Sequence, residues 1–87
     1  MPKVVMYTTA ICPYCVRAKF MLKNKQVDYK EIRIDTDHEA MQVMMQRSRR
    51  NTVPQIFIDE YHVGGYDDMA ALEMAGRLDE LLGLAES

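Results

Sequence analysis

Residues 3–25 read K-V-V-M-Y-T-T-A-I-C-P-Y-C-V-R-A-K-F-M-L-K-N-K, and this stretch decides the fold. Lys3 to Tyr7 is a short apolar run with two β-branched residues, the pattern of a buried strand. Thr8 to Ile11 reads as a loop. Pro13 suits the first position of a helix, where its missing N–H would have no partner anyway. Ala18, Phe20, Met21 and Leu22 then recur at helical spacing toward Lys25. Val27 to Ile34 alternates apolar and polar at Tyr29, Ile32 and Ile34, which predicts a second strand. Strand, helix and strand within about thirty residues make a βαβ unit, so the two strands are expected to run parallel.

The rest of the chain continues the pattern. Asp35 or Asp37 can cap a second helix, with Ala40, Met41, Met44 and Met45 as its apolar stripe. Gln55 to Asp59 predicts a third strand, apolar at Ile56, Phe57 and Ile58. Tyr61 to Val63 is a short fourth strand, joined to the third by a tight turn at Asp59-Glu60 as an antiparallel hairpin. Gly64-Gly65 breaks that strand. Asp67 or Asp68 is expected to cap a third helix containing Met69, Leu72 and Met74, with Gly76 ending it. Leu78, Leu81 and Leu82 form a last amphipathic turn. The order β-α-β-α-β-β-α, with no repeat and no linker, predicts a single α/β domain over residues 1–87.

Composition limits what such a domain does. Of 87 residues, 48% are hydrophobic and 28% charged, which is ordinary for a folded globular chain and excludes disorder and collagen. The net charge is −2, not the basic balance of a nucleic-acid binder this small. No signal-peptide core forms after Val4–Met6, and no run approaches the roughly 18 apolar residues of a membrane span. We therefore expect a cytoplasmic monomer that meets neither nucleic acid nor membrane. The near-neutral total conceals an asymmetry. Residues 1–50 carry ten basic and five acidic residues, and residues 51–87 carry one basic and eight acidic. Most of these charges read as solvated faces. Arg47, Arg49 and Arg50 stand apart, because they lie just before Thr52-Val53-Pro54. The eight methionines are expected to fill core, among them Met6, Met21, Met41, Met44, Met69 and Met74.

Only two cysteines are present, Cys12 and Cys15. A disulfide closing so short a loop restrains the unfolded chain by only about 2 kcal/mol, so the pair reads as chemistry and not as a staple. At the start of a helix, the Cys12 sulfur faces unpaired backbone N–H groups and the positive end of the helix dipole. Such a position lowers a thiol pKa from about 8.5 toward about 3.5–7.5, and the thiolate is the nucleophile. Cys12 is therefore expected to attack disulfides, and the more buried Cys15, one turn later, to resolve the mixed disulfide. A zinc half-site would need two more ligands. His38 and His62 are 24 positions apart and do not supply the usual spacing, so no metal is expected.

With these motifs in place, the chain resembles the glutaredoxins, specifically the short bacterial dithiol type (glutaredoxin 3-like). The resemblance is carried by C-P-Y-C at 12–15, R-S-R-R-N-T-V-P-Q-I-F-I at 47–58, H-V-G-G-Y-D-D at 62–68 and L-D-E-L-L at 78–82, in the family's order and spacing. It implies a thioredoxin-like (glutaredoxin) fold, a four-stranded mixed sheet flanked by three or more helices. It also implies a cis Val53–Pro54 bond facing the cysteines. X–Pro bonds are cis in only about 5–6% of cases, so Pro54 alone would not suggest this.

The resemblance further implies a glutathione-dependent thiol–disulfide oxidoreductase with no permanently bound cofactor, glutathione being its co-substrate. Val53 would pair its backbone with the cysteinyl part of glutathione, beside Thr52 and Pro54. Gly65 would allow close approach. Backbone N–H groups of Tyr66 and Asp67 would hold the γ-glutamyl carboxylate, and Asp67, with Asp68, the ammonium. Tyr14 would border the site. Many family members carry a Lys where this chain has Thr9, so either Arg49 or Arg50 supplies the charge for the glycine carboxylate or the affinity is weaker. Partners implied are protein disulfides and glutathionylated proteins, ribonucleotide reductase among them, with glutathione reductase and NADPH upstream. Two other readings are a redoxin served by thioredoxin reductase and a glutathione-assisted iron–sulfur carrier. The absence of Trp argues against the first, and Pro13 against the second.

Overall fold

The computed structural model describes residues 2–84. The strands are β1 (Val4–Thr8), β2 (Lys30–Arg33), β3 (Gln55–Ile58) and β4 (Tyr61–Gly64). The helices are α1 (Pro13–Asn24), α2 (His38–Ser48), α3 (Tyr66–Met74) and α4 (Leu78–Leu81). The sheet order is β2-β1-β3-β4. β1 runs parallel to β2, with Tyr7 opposite Ile32, and antiparallel to β3, with Met6 opposite Ile56. β3 and β4 form the expected antiparallel hairpin, turned at Asp59 (φ 52°) and irregular between Ile56 and Phe57.

Alternation along β1 and β3 divides the core. Val4, Met6, Ile56 and Ile58 face one way and pack with Ala18 and Leu22 of α1, Met69 of α3, and Leu78 and Leu82 at α4. Tyr7 and Phe57 face the other way, against Met44 of α2 and Ile34. The sheet is thus the middle of three layers, and burial on both faces explains the near-continuous apolar run of β3. The loops at one end of this sheet, after β1 and before β3, carry the cysteines and Pro54. No helix among the described residues is long and apolar enough to cross a membrane.

Three local expectations are corrected, and the open choice between two caps for α2 is resolved. β2 is shorter than Val27–Ile34. Val27 instead closes α1: its N–H donates to the Leu22 carbonyl at 3.0 Å, after a left-handed Gln26. Asp37, not Asp35, caps α2 through the Ala40 N–H, because the Asp35 carboxylate is taken by Arg33 and the Ala10 N–H. Neither Asp67 nor Asp68 is the cap of α3. The helix starts earlier, with Gly65 at the cap position and Asp68 reaching back to the Gly65 N–H. Phe20 and Met74 are 63% and 90% exposed, so they are not core. At about 100° per residue, Phe20 lies some 200° from both Ala18 and Leu22, and Met74 the same from Leu72. Met45 lies at the exposed margin of the α2 stripe.

Candidate active site

Cys12 is the residue that begins α1. Its backbone is extended (φ −153°, ψ 99°), Pro13 follows at the first helical position, and its sulfur accepts the Cys15 N–H at 3.1 Å. The side chain that would react thus occupies the place where Ser, Thr or Asp usually satisfies an orphan N–H. Cys15 lies one turn on, only 1% exposed, while Cys12 is half-buried. The two Cα atoms are 5.2 Å apart and the sulfurs are joined as a disulfide.

The loop entering the helix is tethered from β2. The Ala10 N–H donates to Asp35 at 3.0 Å, and Arg33 holds the same carboxylate through two bonds of 2.7 Å. The Arg33 guanidinium and that N–H together hold Asp35 well below the usual carboxylate range. One residue before the loop, the buried Thr8 hydroxyl donates to Glu31 at 2.6 Å, and Lys19 of α1 pairs with the same carboxylate.

Opposite the dithiol, the Val53–Pro54 bond is cis, and the Val53 carbonyl oxygen lies 3.8 Å from Cys12 Sγ. Beside it opens a cleft of about 250 Å³. One wall is Tyr14 of α1 and Tyr66 of α3, whose rings are 6.3 Å apart. The floor is Thr52, Val53 and Pro54, and the far rim is Gly65, Asp67 and Asp68 with Arg50. A larger concavity of about 540 Å³, between β2 and α2, contains neither cysteine.

The structure therefore brings together, around one cleft, Arg50 and the eight other residues expected to form a ligand site, whereas Arg49 lies apart and Arg47 lies over the Phe57 ring. Cys12 borders the cleft through Val53. Arg49 adopts a left-handed conformation (φ 59°) as the C-cap of α2, and it sits beside Met45 and Asn51. Thr9 does not line the cleft either. Arg50 reaches Asp68, not Asp67, at 2.9 Å, and the Gly65 N–H donates to the same Oδ2 at 2.9 Å. Arg50 and that N–H hold Asp68 below its ordinary range. Asp67 is exposed, and the first-turn N–H groups around it have no intrahelical partner. The Asp35 tether and the Arg50–Asp68 pair were not anticipated. Both join residues 18 or more positions apart, and no spacing rule signals them.

A family profile described as Glutaredoxin matches residues 4–63. A glutaredoxin of Pseudomonas aeruginosa is 55% identical over 82 residues, covering 94% of this chain and 98% of that one. Glutaredoxin 3 of Escherichia coli K12 is 50% identical, covering 94% and 99%. Among solved structures, a buckwheat glutaredoxin–glutathione complex superposes with a TM-score of 0.85 at 29% identity, covering 94% of this chain and 77% of that one. A dithiol at a helix start, set against a cis-proline on a thioredoxin-like sheet, thus coincides with near full-length likeness, and this chain belongs to the glutaredoxin family of thiol–disulfide oxidoreductases.

Proposed function

We propose that Cys12 is the attacking thiolate and that the cleft beside Val53 holds the glutathionyl half of its substrate. The observation that carries this reading is the position of Cys12 Sγ, at once the cap of α1 and the neighbour of the Val53 carbonyl. The Cys15 N–H and the helix dipole stabilise a negative sulfur and do nothing comparable for a neutral thiol. With a glutathionylated substrate, Cys12 S⁻ attacks the glutathione sulfur. A Cys12–glutathione disulfide forms, and the substrate leaves as a thiolate that takes a proton from water. A second glutathione thiolate then attacks that disulfide, releasing oxidised glutathione and restoring Cys12 S⁻. With a protein disulfide, Cys15 attacks the mixed disulfide and leaves the Cys12–Cys15 bond, which two glutathione molecules reduce.

The cleft has complementary groups for this ligand. Val53 offers an edge backbone for pairing with the cysteinyl residue. The N–H groups of Tyr66 and Asp67 at the start of α3 suit the γ-glutamyl carboxylate, and the Asp67 carboxylate suits the ammonium. Arg50 lines the cleft and suits the remaining carboxylate, while Asp68 orients Arg50 and Gly65. Thr52, Pro54, Gly65 and Tyr14 complete the surface. The buckwheat relative, solved with glutathione, supports the choice of ligand. In the cell this activity belongs to one cytoplasmic domain, recharged by glutathione reductase and NADPH, with ribonucleotide reductase among its protein substrates.

The test is a pair of coupled assays following NADPH oxidation. One supplies glutathione, glutathione reductase and a glutathionylated small substrate; the other supplies thioredoxin reductase and insulin. Activity in the first is expected. Activity in the second alone would make the protein a thioredoxin-type redoxin and sink the glutathione reading.

A further inference from the structure

One polar chain, built on a buried amide, is used by neither the dithiol nor the helix caps. Gln55 opens β3 and is 0% exposed. A buried amide is costly unless both of its groups are bonded, and both are. Its Oε1 lies 2.7 Å from Nε2 of His62 on β4, and its Nε2 lies 3.3 Å from Oγ1 of Thr52. His62 is held by stacking on Phe57 at 4.9 Å, with the Arg47 guanidinium 4.0 Å from the same phenyl ring. Thr52, at the other end, lines the cleft next to Val53.

With the Gln55 amide oriented as in the structure, valence fixes the sense of every bond. Oε1 can only accept, so His62 donates through Nε2–H; the NH₂ can only donate, so Thr52 Oγ1 accepts. A hydroxyl that accepts from behind keeps its own O–H to give, and this one is beside the ligand cleft. We propose that His62 and Gln55 are positioning residues that present the Thr52 hydroxyl to the cleft as a hydrogen-bond donor, selecting a carbonyl or carboxylate oxygen of the glutathionyl group. The proposal rests on the glutathione reading above. His62 touches no reacting atom, and its hydrogen bond to this chain is the one to Gln55.

The experiment separates KM from kcat with a glutathionylated small substrate in the glutathione reductase assay. Thr52→Val keeps the side-chain shape and removes the donor. Its KM is expected to rise about three- to tenfold, the value of one net hydrogen bond, with kcat unchanged. His62→Leu is expected to raise KM equally. His62→Gln returns an N–H donor near the place of Nε2 and is expected to restore the wild-type KM. Thr52→Val combined with His62→Leu is expected to be no worse than either alone, because both break one chain. An unchanged KM in Thr52→Val overturns the relay, as do additive losses in the double variant. Thr52→Val decides the question if His62→Leu does not fold. A wild-type protein inert toward the glutathionylated substrate overturns the glutathione reading and this one together, whereas an active wild type with an unaffected Thr52→Val overturns the relay alone.

Discussion

The Cys15 N–H donates to Cys12 Sγ across 3.1 Å, so the sulfur proposed to attack substrate also caps its own helix. Function and folding can nevertheless be separated at this residue. Serine is among the best N-cap residues, so Cys12→Ser is expected to abolish both glutathionyl and protein-disulfide reduction while the reduced protein unfolds at nearly the wild-type midpoint. Cys12→Ala removes the cap as well and is expected to cost about 0.5–2 kcal/mol. Cys15→Ser keeps the nucleophile and its backbone donor. It is expected to retain removal of glutathione from small substrates and to lose turnover of protein disulfides. Equal losses in Cys12→Ser and Cys15→Ser would contradict this division.

What the sequence revealed, and what it concealed, follows from distance along the chain. The dithiol at a helix start, the hairpin at Asp59-Glu60 and the Gly-Gly break are local, and each was legible from adjacent residues. Arg50 with Asp68 and Asp35 with Ala10 are made by the sheet, which brings distant loops to one end. His62 and Gln55 are only seven positions apart, but their meeting depends on the register of the β3–β4 hairpin and not on spacing. Val27 looked like strand because it is apolar, yet its partner is the end of α1. Gly65 has no side-chain acceptor and the neighbouring aspartates have one, so the sequence alone favours the aspartates as caps. Phe20 and Met74 are apolar residues on the outer faces of their helices, a case that spacing toward the core excludes only once the buried stripe is known.

Gly64 and Gly76 offer a matched pair for measuring close approach. Both have positive φ, 110° and 73°. A Cβ at Gly76 meets nothing within 4 Å, while one at Gly64 falls on the Asp68 carboxylate. Gly76→Ala is therefore expected to cost only the backbone penalty of a left-handed residue, about 1–2 kcal/mol. Gly64→Ala adds displacement of Asp68 from the Gly65 N–H and Arg50, and is expected to cost about 2–3 kcal/mol or more. Chemical denaturation of the two variants checks this, and equal costs would show that Asp68 yields freely.

Asp67 and Asp68 are adjacent but are expected to fail in different assays. Asp67 is exposed and makes no ion pair among the described residues, so Asp67→Asn is expected to leave stability within about 0.5 kcal/mol of wild type. Its KM for a glutathionylated substrate is expected to rise severalfold, through loss of the charge proposed to pair with the ammonium. Asp68→Ala releases the Gly65 N–H and Arg50 together and is expected to lower stability by about 1 kcal/mol as well as raise KM. If Asp67→Asn alone destabilises the fold, or leaves KM unchanged, the two roles are misassigned.

Acid should unfold the protein in two separable limbs. Burial, with Arg50 and Arg47 nearby and Asp68 opposing them, lowers the His62 pKa from 6.5. A depressed folded value means that the unfolded chain binds the proton more readily. The contribution of His62 is therefore complete above pH 6.5 and is lost as the pH falls through the folded value. Asp68 has the same sign one range lower. Its folded pKa lies below 3.8, held there first by Arg50 and then by the Gly65 N–H, so its contribution is present above that value and disappears as the pH falls further. Glu31, lowered by Lys19 and Thr8, acts in the same window. Unfolding midpoints from pH 7 to pH 2 are expected to show both limbs in the wild type. His62→Gln should flatten the limb below pH 6.5 and leave the lower one. Asp68→Asn should shrink the limb below about pH 4, leaving the part due to Glu31 and Asp35, and deepen the upper one, because the Asp68 charge that favours His62 protonation has gone.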